Sequence, residues 1–243
     1  ENLTVRINQV DDNDCPEVTA YVSVTDQGGF ALTGLSESDF LLSEDSESRE
    51  IQMVSFVSQE LSPISVAVAM DYSSSITEFP EVVADMEDSV SAFVGQIRAD
   101  DEVEVIKFGS KVEVYQEFTS DKNLLKDAIY RSGDHLRTAT RLYEAAWQAI
   151  QDTSLRLKKR KAVVILTDGI DISLLVDDPS VNLTLTEVID YANANGIPIF
   201  TIALGDFNQD DLRQTGLQNL RQMADDTGGS SFDAPTSDNL KRI

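Results

Sequence analysis

The run Val66-Ala67-Val68-Ala69-Met70 has no polar residue at alternate positions. A strand with one wet face alternates apolar and polar residues. An unbroken apolar run reads instead as a strand covered on both faces, as in a parallel sheet flanked by helices. Asp71 closes the run, and Ser73 and Ser75 follow at alternate positions. A carboxylate and two hydroxyls leaving the end of a central strand can converge on one point. They are hard oxygen donors, which suit Mg²⁺, Mn²⁺ or Ca²⁺.

From Pro63 onward, strand and helix patterns alternate. Val82, Val83, Met86, Val90, Phe93, Val94 and Ile97 recur at three- and four-residue spacing, which predicts a helix over residues 78–98. Strands follow on either side of Gly109-Ser110, then helices over 122–130 and 141–157. Residues 161–167, Lys-Ala-Val-Val-Ile-Leu-Thr, form the most strand-like run of the chain, ended by Asp168-Gly169. A helix over 185–195 stops at Gly196, a suitable cap. A strand over 198–204, a helix over 210–226 and an edge strand over 230–233 come next, and residues 237–243 begin a final helix cut short by the chain end. This order predicts an α/β fold with a doubly wound, mostly parallel sheet flanked by helices. Such sheets bind ligands beyond the carboxyl ends of the strands, where the strand order reverses. Asp71 and Asp168 both fall at that end.

Residues 3–58 are strand-rich and helix-poor. Leu3-Val5-Ile7 and Val18-Ala20-Val22-Val24 alternate with polar neighbours, and Thr25 to Gly29 has turn chemistry. Phe40-Leu41-Leu42 and Ile51 to Phe56 read as further strands, with residues 43–50 as an acidic turn between them. These segments predict a small β-rich module, a partial sandwich, over residues 1–60 ahead of an α/β domain over 61–243.

With 43 acidic and 19 basic residues the net charge is −24, which disfavours nucleic-acid partners. Cys15 is the only cysteine and His135 the only histidine, which leaves no intrachain disulfide, no zinc cluster and few histidine-based schemes. No apolar run is long enough to span a bilayer as a helix. The chain begins at Glu1, as expected of a mature form or a piece of a longer protein.

Asp71-x-Ser73-x-Ser75, the Thr138-Ala139-Thr140-Arg141-Leu142-Tyr143 segment and Leu166-Thr167-Asp168-Gly169 together resemble the von Willebrand factor A family. The resemblance covers residues 62–243 and extends to Arg160-Lys161-Ala162 and Asp168 to Ser173. It implies a metal-ion-dependent adhesion site with Asp71, Ser73, Ser75, Thr140 and Asp168 as ligands. The family's Thr precedes a Leu-Tyr-x-Ala segment, which points to Thr140 and leaves Thr138 as the alternative. The implied cofactor is a divalent cation, Mg²⁺ foremost, with Mn²⁺ or Ca²⁺ as alternatives. The implied partner is a protein that donates an Asp or Glu carboxylate. Residues 22–45 resemble the β module that precedes such domains in bacterial surface and secreted proteins, which implies an extracellular, cell-surface or periplasmic setting.

Two other functions compete. A structural or assembly subunit with a vestigial metal site would carry the same residues. Asp71 with Thr167 to Asp171 is faintly similar to haloacid-dehalogenase-type phosphatases, but those need a second Asp two residues after the nucleophile, where this chain has Ser73. No G-x-G-x-x-G follows a strand. No catalytic residue is therefore assigned, and the expectation is a binding module, not an enzyme. Asp171 reads as a solvated loop acid.

Overall fold

The computed structural model describes residues 3–12, 14–26, 32, 34–55, 62–171, 183–205 and 211–234. Residues 27–31, Phe56, Ile172, Ser173 and the expected final helix over 237–243 lie outside the described residues. So do Asn2 and Asn182, each the first residue of an Asn-x-Thr sequon.

Strands β1 (Thr4–Asp11) and β2 (Thr19–Thr25) form an antiparallel ribbon, with a register shift between Ile7 and Gln9. The short strands β3 (Leu42–Glu44) and β4 (Glu47–Arg49) form a separate hairpin, with Asp45 and Ser46 at positive φ at its tip. The polar stretch expected to be a plain turn thus supplies both the turn and β4. Residues 51–55, expected to be a strand, have no regular structure. Their side-chain alternation is right for a strand, but among the described residues no backbone pairs with them, and a strand needs a partner for its N–H and C=O groups.

The polar face of the β1–β2 ribbon rests on the larger body. The Asn8 side-chain amide donates to Gly228 O at 2.7 Å, and Arg6 pairs with Asp225 at 2.8 Å. The Gln9 amide donates to Lys159 O at 2.7 Å and accepts from Lys161 N at 3.2 Å. The apolar side chains Val5, Ile7, Val10 and Val18 point away and are exposed.

The larger body has the expected architecture. Its elements are β5 (Ile64–Asp71), α1 (Ser74–Thr77), α2 (Pro80–Gln96), β6 (Glu102–Phe108) and β7 (Val112–Thr119). They continue with α3 (Lys122–Tyr130), α4 (Leu142–Ser154), β8 (Arg160–Thr167), α5 (Leu185–Ala194), β9 (Ile199–Leu204), α6 (Asp211–Asp226) and β10 (Ser231–Ala234). The sheet order is β10-β9-β8-β5-β6-β7, parallel except for the β6–β7 hairpin. Chain order runs outward from β5 through β6 to β7, then jumps to β8 on the other side. The reversal therefore lies between β5 and β8.

Side-chain alternation splits the core into two layers. Ala67, Ala69, Ile106, Val163 and Ile165 face one side and pack with residues of α4, α5 and α6. Val66, Val68, Met70, Val103 and Val105 face the other side and pack with residues of α2 and α3. The helix ends follow local chemistry. Pro80 sits in the first turn of α2, where its missing N–H costs nothing. The Asp121 carboxylate accepts the Asn123 and Leu124 amides to start α3. Thr184 and Glu187 form a capping box on α5.

Leu125 is fully buried between α3 and the sheet. Leu125→Ala should lower unfolding free energy by about 2–5 kcal/mol in a denaturant titration. A loss below about 0.5 kcal/mol, the range of surface changes, would contradict this packing.

Candidate metal centre

Asp71 is the last residue of β5 and Asp168 directly follows β8, so both leave the carboxyl edge of adjacent strands at the reversal. Asp71 is 0% exposed and Asp168 1%. Asp71 Oδ1 accepts the Ser73 amide at 2.8 Å, which folds the chain into a tight turn after the strand. Asp71 Oδ2 accepts the Thr167 hydroxyl at 2.6 Å, which binds the β5 turn to the end of β8. Thr167 Oγ1 also accepts the Gly169 amide at 3.1 Å.

Ser73 occupies the position before α1, where a serine hydroxyl ordinarily caps the helix, yet it makes no capping bond. Its Oγ lies 3.1 Å from Ser75 Oγ instead. The Ser75 hydroxyl in turn lies close enough to the Asp168 carboxyl to favour its ionised form. Asp71, Ser73, Ser75 and Asp168 are thereby joined in one chain of contacts.

Thr140 lies just ahead of α4 and is 0% exposed, whereas Thr138 is exposed. Of the two candidate threonines, only Thr140 is buried. Among the described residues its Oγ1 has no hydrogen-bond partner, and neither does Asp168 Oδ2. Buried polar atoms are nearly always satisfied, so an orphaned hydroxyl and an orphaned carboxylate oxygen call for an explanation. The Tyr143 amide, in the first turn of α4, donates to Asp171 Oδ2 at 3.0 Å. The structure corrects the reading of Asp171 as a solvated loop acid: it satisfies a free N–H at the start of α4 and ties the Thr140 segment to the Asp168 loop.

Burial pushes the Asp71 carboxyl well above the usual carboxylate range, and the Asp168 charge pushes it further; bonds from Thr167 and Ser73 oppose the shift. Burial raises Asp168 too, against the Ser75 hydroxyl, the Ile170 amide and the charge of Arg213. Among the described residues, no cluster of three or more His, Cys, Asp or Glu side chains is placed to hold a metal ion. The donors gathered here are two carboxylates and neutral hydroxyls, a set that fits a hard divalent cation.

Several contributors are not visible as motifs. Gly216, in mid-α6, faces the turn after β8: a Cβ there would lie 2.9 Å from Gly169 O and 3.1 Å from Asp168 O. Gly169 has φ +80°, a conformation costly for other residues. Tyr72, Lys107 and Glu87 form a buried polar group beneath the Asp71 turn. A lysine inside the run Val-Glu-Val-Ile-Lys-Phe was the available sequence signal for that group.

The von Willebrand factor type A domain model matches residues 65–243. The chain therefore belongs to the von Willebrand factor type A domain family. No curated protein sequence matches it significantly. Among solved structures it is similar to the conserved hypothetical protein BatB from Bacteroides thetaiotaomicron, at 18% identity and TM-score 0.56, over 74% of this chain and 94% of that one. It is similar to the pilus adhesin SpaC from Lactobacillus rhamnosus GG in an open conformation, at 14% identity and TM-score 0.58, over 76% of this chain and 29% of that one. A von Willebrand factor type A protein from Catenulispora acidiphila aligns over 99% of this chain and 47% of its own, at 13% identity and TM-score 0.58. At these identities the likeness is one of fold. No described helix is long and apolar enough to cross a membrane.

The raised carboxyl groups give a testable pH dependence. The folded, metal-free protein holds a proton on this pair at a pH where the unfolded chain, with ordinary carboxyls near about 4, has released it. The stability it contributes is present below that range and is lost as pH rises towards neutrality. Metal-free urea titrations between pH 5 and 7.5 should show Asp71→Asn losing less stability with rising pH than the parent. Equal slopes would contradict the placement of the pair.

Proposed function

We propose that this chain is a metal-dependent protein-binding module, for adhesion or assembly, and not an enzyme. Asp71, Ser73, Ser75, Thr140 and Asp168 are the residues proposed to hold a divalent cation, Mg²⁺ foremost, with Mn²⁺ or Ca²⁺ as alternatives. Residues 61–243 would form the binding domain, with residues 1–60 as an accessory β module. The carrying observation is the pair of oxygens without a hydrogen-bond partner among the described residues, Thr140 Oγ1 and Asp168 Oδ2, beside two buried carboxyls.

The bound cation would supply a Lewis-acidic position for one carboxylate oxygen of a partner's Asp or Glu. The chain's own residues keep that position available. Asp71 spends its two oxygens on the Ser73 amide and the Thr167 hydroxyl, so its charge is shared and fixed in direction. Ser73, Ser75 and Thr140 add oxygen without adding charge. With only two acids, the site leaves a cation under-neutralised and receptive to an outside carboxylate. No general acid stands two residues after Asp71, which argues against phosphoryl-transfer chemistry.

The similarity to SpaC, to the PilB minor pilin of Streptococcus sanguinis and to the pili tip protein Mfa5 of Porphyromonas gingivalis supports a role at the cell surface or outside it. The −24 net charge favours a partner whose accessible carboxylate sits in a neutral or basic surface.

Mg²⁺ at a hundredfold its Kd should stabilise the protein by about 2.7 kcal/mol. Asp71→Ala and Ser73→Ala should abolish that gain and the heat of Mg²⁺ binding in isothermal titration while far-UV circular dichroism stays unchanged. Unchanged Mg²⁺ affinity in either variant would place the site elsewhere. Capture of a surface partner should disappear in EDTA and return with Mg²⁺; capture that persists through chelation would move the interface away from this edge.

A further inference from the structure

Directly beneath the Asp71 turn is a fully buried lysine. Lys107, on β6, is 0% exposed and pairs in register with Met70 on β5. Its side chain points to the α2–α3 side of the sheet, opposite to Asp71. There Nζ lies 2.7 Å from Tyr72 Oη and donates to Ile129 O at 2.6 Å and to Arg131 O at 2.5 Å. It sits 4.2 Å from the centre of the Tyr72 ring and 3.8 Å from Glu87 Oε1. The Tyr72 hydroxyl donates to the same Glu87 oxygen at 2.6 Å. Tyr72 is the residue between Asp71 and Ser73.

The two carbonyls define what this lysine joins. Ile129 and Arg131 stand at the C-terminal end of α3, where carbonyls lack helical partners. From there the chain runs through Gly133 and the 3-10 turn Asp134–Leu136 to Thr140. Gly133 lies against the Tyr72 ring so closely that a Cβ would be 2.6 Å from Tyr72 Cδ1. At the far end of this segment, Leu136 O accepts the Ser110 amide at 2.8 Å. The segment leading to Thr140 is therefore gripped by Lys107, by the Tyr72 ring and by the β6–β7 turn.

We propose that Lys107 and Tyr72 are positioning residues for the metal centre, clamping the turn that carries Asp71, Ser73 and Ser75 to the segment that carries Thr140. The inference rests on reading those residues as the ligands. It goes further in assigning the spacing between two ligand-bearing segments to a buried amine and a phenol whose hydrogen bonds go to Glu87, Ile129, Arg131 and each other. A hydrophobic residue of similar length would fill the space without the cost of burying an amine. Burial indeed pulls the Lys107 ammonium down to about 8. The amine does what such a residue cannot: it holds two carbonyls and a hydroxyl at fixed separation.

The test is isothermal titration of the full chain with Mg²⁺, using Lys107→Met, Tyr72→Phe and the double variant. Tyr130→Phe, which removes a hydroxyl bonded to the exposed Asp88, serves as a control. Tyr72→Phe keeps the ring against Gly133 and so tests the clamp even if Lys107→Met folds poorly. Each single variant should weaken Mg²⁺ binding by about tenfold or more, as loss of groups that orient ligands does. The double variant should be no weaker than the weaker single variant, because both changes break the same clamp. Metal-free melting of Tyr72→Phe should fall, because a buried hydroxyl bonded to Lys107 and Glu87 is removed, whereas Mg²⁺ affinity in Tyr130→Phe should match the parent. Parent-like affinity in Tyr72→Phe, or losses that simply add in the double variant, would overturn the clamp. A parent chain that binds no Mg²⁺ would instead overturn the reading of the ligands, and the clamp with it.

Discussion

The structure depends on two carboxyl groups buried side by side at the carboxyl edge of adjacent strands. Asp71 and Asp168 have almost no exposed surface, burial makes both harder to ionise, and the Asp168 charge adds to the effect on Asp71. A protein that buries such a pair must offset the cost with donors, with protons or with a cation. The surrounding residues supply part of this: the Thr167 hydroxyl and Ser73 amide bond Asp71, the Ile170 amide bonds Asp168, and the nearby Ser75 hydroxyl favours the ionised form of Asp168. What they leave over, the second Asp168 oxygen and the Thr140 hydroxyl, is the set a hard cation would complete.

Topology makes the pair possible. Only where chain order reverses do two neighbouring strands send their following loops apart and leave a crevice. Here that place lies between β5 and β8. Backbone close approach then narrows it. Gly216 lets α6 reach the Asp168 turn, Gly169 takes a positive φ, and Gly133 lets the Thr140 segment lie against Tyr72. None of these glycines would carry chemistry itself. Each removes a side chain that would push apart two segments carrying the proposed ligands.

Much of this was legible in the chain. The apolar runs Val66–Met70 and Ala162–Leu166, just ahead of Asp71 and Asp168, mark central strands because burial on both faces explains their lack of polar alternation. The limits of α3 and α5 were within one residue, because Asp121, Thr184 and Gly196 carry their own capping chemistry, whereas α4 ends three residues before the expected position 157. The region before residue 62 was less legible. Residues 51–55 have strand-like alternation, but pairing depends on a distant partner that local pattern does not reveal. The choice between Thr138 and Thr140 likewise turns on burial, which two threonines in one segment share no local sign of. Asp171 and Lys107 act through contacts 28 residues away in sequence and 35 residues away respectively, so the sequence shows only their charge.

The central claim is that this edge is a cation site built from Asp71, Ser73, Ser75, Thr140 and Asp168. Crystals grown with Mn²⁺ and measured at an X-ray energy where manganese scatters anomalously test it most directly. The account predicts one strong anomalous peak beyond the ends of β5 and β8, within about 2.0–2.6 Å of oxygens from these residues or of waters they hold. An empty edge, or a peak held by other carboxylates on this acidic surface, would contradict it.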